Sequence, residues 1–204
     1  MRAWKSRFIL LLCLAVLLCI APALAEQAFS GGSGTQSDPY LLSTTADLRR
    51  MRERFAMDAA FANGAPCFRL TNDIRLNQGL GEAFNWRPVA RFGGDFDGAG
   101  FTITGMYVPV DNAVQLEGGG ALGGGFIGEL AAGGRIHNLT LSGCVEAPTG
   151  GARALVGGLV CINRGEMADC VSYVTITVTR AIGHLQSSGI AATSTGKLLR
   201  CTDR

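Results

Sequence analysis

Gly93-Gly94-Asp95-Phe96-Asp97-Gly98-Ala99-Gly100-Phe101-Thr102-Ile103-Thr104, resumed after a glycine-rich interval by Gly124-Gly125-Phe126-Ile127-Gly128 and Gly133-Gly134-Arg135-Ile136-His137-Asn138-Leu139-Thr140-Leu141, is the stretch that decides the fold. Phe101 and Ile103 fall on one face of an extended segment and Thr102 and Thr104 on the other, which is the alternation of a half-buried strand. The second unit recurs. Gly-Arg-Ile-His-Asn-Leu, Gly-Glu-Met-Ala-Asp-Cys and Gly-Lys-Leu-Leu-Arg-Cys place Ile136, Met167 and Leu198 at equivalent positions, with the same interval from the first to the second as from the second to the third. A fixed period, with strands entered through glycine turns, predicts an all-β solenoid whose units bury their apolar faces against one another.

Upstream, Arg2, Lys5 and Arg7 precede an apolar run over 8–20, and Ala23-Leu24-Ala25 closes it with a small-x-small cleavage pattern. Residues 1–25 are therefore expected to be a secretory signal peptide. The run is shorter than the ~20 apolar residues a membrane-spanning helix needs, and no later segment is long enough, so no span is expected after cleavage. Removal of 1–25 takes three basic residues and no acidic one from a chain with 18 Lys and Arg against 16 Asp and Glu. The remainder is near neutral, which argues against nucleic acid as a partner.

Within the remainder, 26–66 reads as a lead-in segment and a capping helix. A short strand is expected around 40–42, then a helix over about 46–60, capped by Thr44 or Thr45, with Leu48, Met51 and Phe55 on one face. That face is expected to cover the N-terminal end of the first coil, because open strand edges invite association. Residues 67–204 form the repeat region. Phe68 and Leu70, then Ile74 and Leu76, alternate around the turn Thr71-Asn72-Asp73. Segments 101–104 and 106–108 read as separate strands, and 111–125, with two Gly-Gly-Gly runs, reads as a flexible loop. The last copy breaks off shortly after Cys201, so the region is expected to be incomplete at its C-terminal end, with association through that uncapped end as a consequence. Cys170 and Cys201 share one column of the repeat. Inward packing and an intercoil disulfide both remain open for them.

Gly158-Leu159-Val160-Cys161-Ile162-Asn163-Arg164-Gly165-Glu166-Met167-Ala168-Asp169-Cys170 resembles the GLUG repeat of bacterial cell-surface proteins, a Gly-Leu-Val-Gly core followed by Asn-x-Gly, an apolar residue and Cys. Gly31-Gly32-Ser33-Gly34-Thr35 with Asp38-Pro39-Tyr40, Leu70-Thr71-Asn72-Asp73-Ile74, and Phe96-Asp97-Gly98 with Phe101-Thr102-Ile103 resemble the prelude to such repeats. Cys161 departs from the pattern by replacing the second core glycine, and Ile190-Ala191-Ala192 is a degraded copy. The resemblance implies a right-handed parallel β-helix on a secreted or cell-wall-associated bacterial protein. Some proteins with these repeats also carry a zinc peptidase domain that cleaves immunoglobulin A. No His-Glu-x-x-His pair occurs here to hold zinc and supply a base.

Candidate chemistry is sparse. Asp95 and Asp97, two apart beside Gly98, are the calcium candidates, and the competing reading has them hydrogen-bonding their own turn. A polysaccharide lyase would need carboxylates and a base on one exposed sheet, and Asp73, Asp95, Asp97, Arg75 and Arg91 are the nearest set. Asn138-Leu139-Thr140 matches a glycosylation sequon but reads as a turn Asn before a strand. No catalytic residue and no cofactor is assigned. The expected function is a non-catalytic, secreted or surface-exposed module for structure, adhesion or display, partnered by a host or cell-wall glycan or protein. The alternatives are a carbohydrate-active β-helix enzyme and a non-catalytic glycan-binding domain.

Overall fold

The computed structural model describes residues 29–76, 85–116, 118–148, 153–179 and 183–204, so the signal-peptide reading of 1–25 lies outside the described residues. Among the described residues the fold is mostly β, in four sheets. The first contains Tyr40–Leu42 (β1), Cys67–Leu70 (β2), Asp95–Asp97 (β5), Arg135–His137 (β10), Glu166–Ala168 (β14) and Lys197–Leu199 (β18) in that spatial order. The second runs from Ile74–Arg75 (β3) through Thr102–Val108 (β6), Thr140–Glu146 (β11) and Val171–Thr177 (β15) to Thr202–Asp203 (β19). Val114–Gln115 (β7), Leu122–Gly124 (β8), Ala154–Gly157 (β12) and Leu185–Ser188 (β16) make the third. The fourth stacks Val89–Phe92 (β4), Ile127–Leu130 (β9), Val160–Asn163 (β13) and Ala191–Ser194 (β17). From β8 onward the chain visits the third, fourth, first and second sheets in that order, three times over.

The sequence period is a physical register. Ile136 pairs with Met167 and Met167 with Leu198 in parallel strands. The same column continues backwards through Phe96 and Phe68 to Tyr40, but by one step longer than that period and then two equal steps shorter than it, which conceals it from a search at the later spacing. In the second sheet Ile74, Ile103 and Leu141 are buried in line, and the next rung is a polar residue, the fully buried Ser172. Its Oγ accepts from Val174 N at 3.3 Å, which offsets the cost of burying a hydroxyl. The apolar side chains of these columns, with Phe92 and Phe126 from the fourth sheet's side, merge into one core.

Corners are set by backbone chemistry. Between the fourth and first sheets lie Gly134, Gly165 and Gly196, and a Cβ on Gly165 would overlap the carbonyl oxygen of Gly134. Buried Asn163 braces this corner: its Oδ1 accepts from Gly165 N at 3.1 Å, and its Nδ2 donates to Lys197 O at 3.2 Å in the next unit. Between the first and second sheets the units from β5 onward place one left-handed residue each, Ala99, Asn138, Asp169 and Arg200, with φ of 50 to 53°. Asn and Asp enter that region readily, whereas alanine does so at a cost of about 1–2 kcal/mol. Ala99→Gly is therefore expected to raise unfolding stability by about 1 kcal/mol in urea titration, relief of the left-handed strain outweighing glycine's entropy.

At the N-terminal side, Thr45–Met57 (α1) begins with a capping box in which Thr44 Oγ1 accepts from Asp47 N at 3.2 Å and Asp47 Oδ2 accepts from Thr44 N at 3.0 Å. Leu48 and Met51 are fully buried, and the Phe55 ring lies 4.8 Å from that of Phe92. α1 packs on β1 and β4. The single helix expected over 46–60 is interrupted: Asp58 leaves helical conformation, ends α1, and caps a second short helix, Ala59–Asn63 (α2), by accepting from Phe61 N at 2.9 Å. An aspartate offers the backbone a competing partner, and the break turns Phe61 onto Tyr40, Phe55 and Phe68.

Asp47 also accepts from Ser30 Oγ (2.7 Å), Ser43 N (3.1 Å) and Thr44 Oγ1 (2.8 Å) and pairs with Arg50. Burial pushes its pKa up, but the hydrogen bonds from Ser30, Thr44 and Ser43 outweigh this and hold it below the usual 3.8. A depressed carboxylate pKa contributes stability above the unfolded value and loses it as pH falls through the folded one. Asp47→Asn is thus expected to melt well below the parent at pH 7, with the gap narrowing below about pH 4.

Two further expectations are corrected. Residues 101–104 and 106–108 do not form separate strands: β6 is continuous across Gly105, which takes φ 68°, and the register against β11 shifts there as a bulge. Nor do the described residues of 111–125 read as one loop. β7 pairs antiparallel with β8, and Val114 and Leu116 are buried against Leu155 and Cys161 in a second apolar cluster. A Cβ at Gly123 would meet Leu116 Cδ2 at 2.6 Å, and at Gly125 it would overlap Gly157 O. Those glycines permit close approach of neighbouring units, which composition alone cannot distinguish from flexibility.

Candidate functional site

Strand alternation turns Phe96 inward and Asp95 and Asp97 outward from β5. Parallel pairing then sets Asp95 between Cys67 and Arg135, and Asp97 between Arg69 and His137. His137 Nε2 lies 2.9 Å from Asp95 Oδ1, and its Nδ1 lies 2.9 Å from Asn138 Nδ2 and 3.4 Å from Asp97 Oδ1. The Asn138 amide nitrogen can only donate, so this contact assigns Nδ1 as an acceptor and Nε2 as the nitrogen that faces Asp95. Asp97 Oδ1 also accepts from Ala99 N at 2.8 Å and from Asn138 Nδ2 at 3.1 Å, and its Oδ2 faces Arg69 Nε at 3.6 Å.

This is an Asp-His arrangement with the nitrogen that a general base would use already engaged by Asn138. It also suits calcium poorly. Arg69 and His137 occupy the approaches to the carboxylates, and among the described residues no group of three or more His, Cys, Asp or Glu side chains is placed to hold a metal ion.

The column continues with alternating sign. Arg135 Nε is 3.3 Å from Glu166 Oε1, and Lys197 Nζ is 3.5 Å from Glu166 Oε2. Asp169 and Arg200 form a two-point pair one corner away, with Arg200 Nη2 2.6 Å from Asp169 Oδ2. Beside this column and along the glycine corner runs an open groove of about 490 Å³, lined by Arg135, Arg164, Glu166, Thr195 and Lys197 together with Gly133, Gly134, Gly165 and Gly196. Arg164 reaches across to buried Glu129 at 3.2 Å, and Arg91 faces the same carboxylate at 3.6 Å. A second pocket of about 290 Å³ gathers Arg49 and Arg52 of α1 with Trp86 and Arg87.

The set considered for lyase chemistry is not assembled. Asp95 and Asp97 stand on the first sheet, Arg75 on the second, and Arg91 on the fourth. Asp73 Oδ1 accepts from Thr102 N at 2.8 Å and joins two units of the second sheet. Asn138 is the left-handed corner residue and a member of the His137 network, in line with its reading as a turn. His137 is the residue that sequence reasoning missed. Its separation from Asp97 is longer than the period that relates Ile136 to Met167, so only the register of the inward Phe96 against Ile136 could have found it.

No protein-family model matches the chain. It is 31% identical over 148 residues to a protein of Evansella cellulosilytica named "Putative Gly-rich membrane protein", an alignment covering 69% of this chain and 15% of that protein. It is 30% identical over 118 residues to Halomucin of Haloquadratum walsbyi, covering 56% of this chain and 1% of that one. The chain thus spans a small part of the curated relatives it matches. Among solved structures it is similar to a "putative immunoglobulin A1 protease" from Bacteroides ovatus, with a TM-score of 0.52 and 17% identity over 86% of this chain and 59% of that one. At that identity the likeness concerns the fold.

Proposed function

We propose that this chain is a non-catalytic, right-handed parallel β-helix module of the GLUG type, displayed on a secreted or cell-surface protein. One observation carries the reading: the outward charges of each unit are taken up by the neighbouring unit, from Arg69–Asp97 through Arg135–Glu166–Lys197 to Asp169–Arg200, rather than converging on one exposed reaction centre. Relatives named as a Gly-rich membrane protein and a halomucin, each matched over a small fraction of its length, support a part reused in larger surface proteins. Such a part holds a fixed length and presents a continuous side, because each unit stacks on the one before it.

The groove lined by Arg135, Arg164, Glu166 and Lys197 offers a place for a glycan to lie along the coils, and its three cations, although each is paired within the protein, outnumber its one lining carboxylate, which favours an acidic glycan over a neutral one. An array of neutral and acidic glycans, run with assays on uronic-acid polymers with and without calcium, separates the cases. Display alone predicts neither retention nor cleavage. Retention of acidic glycans without cleavage supports the binding module. Cleavage abolished by Asp95→Ala and Asp97→Ala, in variants that still fold, overturns the non-catalytic reading. Added calcium is expected to leave the melting temperature unchanged, since Asp95 and Asp97 already have protein partners.

A further inference from the structure

We propose that Cys170 and Cys201 are an oxidisable dithiol that closes into a disulfide between consecutive coils. Both flanks of the pair are tied in register. On one side Asp169 and Arg200 share the left-handed corner conformation and are joined by their two-point ion pair. On the other, Val171 pairs with Thr202, and Thr202 N donates to Cys170 O at 2.9 Å. The cysteines between these two ties are therefore stacked one strand spacing apart, about 4.8 Å, within the Cα range that a disulfide spans. Cys170 is fully buried and Cys201 is partly exposed, and both thiols are free.

The other described cysteines are placed differently. Cys161 lies in the second apolar cluster, Cys67 faces Asp95, and Cys144 stands between Tyr107 and Thr175. Chemistry separates them as well. Burial pushes the Cys161 thiol up to about 12, and burial with the nearby Asp95 charge raises Cys67. A hydrogen bond shared with Cys170 draws Cys201 down, while that same bond and burial raise Cys170. Cys201, the partly exposed member of the pair, is the accessible nucleophile and the fully buried Cys170 the resolving thiol.

With a low-molecular-weight disulfide as oxidant, Cys201 thiolate attacks one sulfur and releases one small thiolate. Cys170 then gives up its proton, attacks Cys201 Sγ in the mixed disulfide, and releases the second. Two protein thiols are oxidised and one small disulfide is reduced to two thiols.

The test is incubation of the purified chain with oxidised glutathione, then peptide mapping without reduction. The expected result is one linked peptide joining Cys170 to Cys201, a mass lower by ~2 Da, and a melting temperature raised by roughly 5–10 °C and restored by dithiothreitol. Cys201→Ser should abolish the link and the shift, and its partial exposure makes a folding defect a minor concern. Full alkylation of both cysteines after oxidation, or links through Cys67 or Cys144 instead, would overturn the proposal.

Discussion

Phe96→Ala is expected to lower unfolding stability by about 3–5 kcal/mol, a large share of the about 5–15 kcal/mol that an ordinary domain has in total. Phe96 is fully buried in the middle of the inward column, between Phe68 and Ile136. Its ring meets Phe92 edge-on at 6.5 Å and Phe126 at 5.9 Å. Truncation removes the transfer free energy of a large ring and leaves a cavity that stacked strands cannot close, because their separation is held by the sheet hydrogen bonds. Urea titration followed by circular dichroism measures the loss. The comparison is Tyr173→Ala, at a 45% exposed position on β15, which should fall within about 0.5 kcal/mol of the parent. Equal effects from the two variants would mean that Phe96 is not a core residue.

Gly165→Ala should be nearly as damaging for the opposite reason. The new methyl group would occupy the place of the Gly134 carbonyl oxygen in the preceding unit and approach Ala131 O at 2.7 Å. Both obstacles are backbone, so no side chain can swing aside, and the units must separate. A loss of about 3 kcal/mol, at the upper end for overpacking, is expected from thermal or urea melts. Gly120→Ala is the control, because a Cβ there meets nothing within 4 Å. If both substitutions were tolerated alike, the glycine ladder would be a matter of composition rather than of contact.

The contrast between these two glycines shows where sequence reading reaches and where it stops. Gly165 lies in the periodic part of the chain, and its turn before Met167 was legible. Gly123 and Gly125 have the same composition as the exposed Gly118 to Gly120 beside them, and nothing local tells a packed glycine from a free one. Likewise Asp95 and Asp97 stood out as a pair, but their partners Arg69 and His137 come from β2 before them and β10 after them, at unequal distances along the chain. Corner insertions of different length broke the period there, so a search at the spacing of Ile136, Met167 and Leu198 could not align those strands.

By itself the sequence determined the strand character, the in-register column Ile136, Met167 and Leu198, buried at its first two positions and exposed at Leu198, and the amphipathic helix with Leu48 and Met51 buried, because alternation and periodicity are local records of which face is apolar. Only the tertiary structure decided which outward side chains meet, where α1 breaks, and which glycines are in contact. Those depend on the register between units, and register is set by the sum of corner lengths and interior packing across the whole stack rather than by any residue's immediate neighbours.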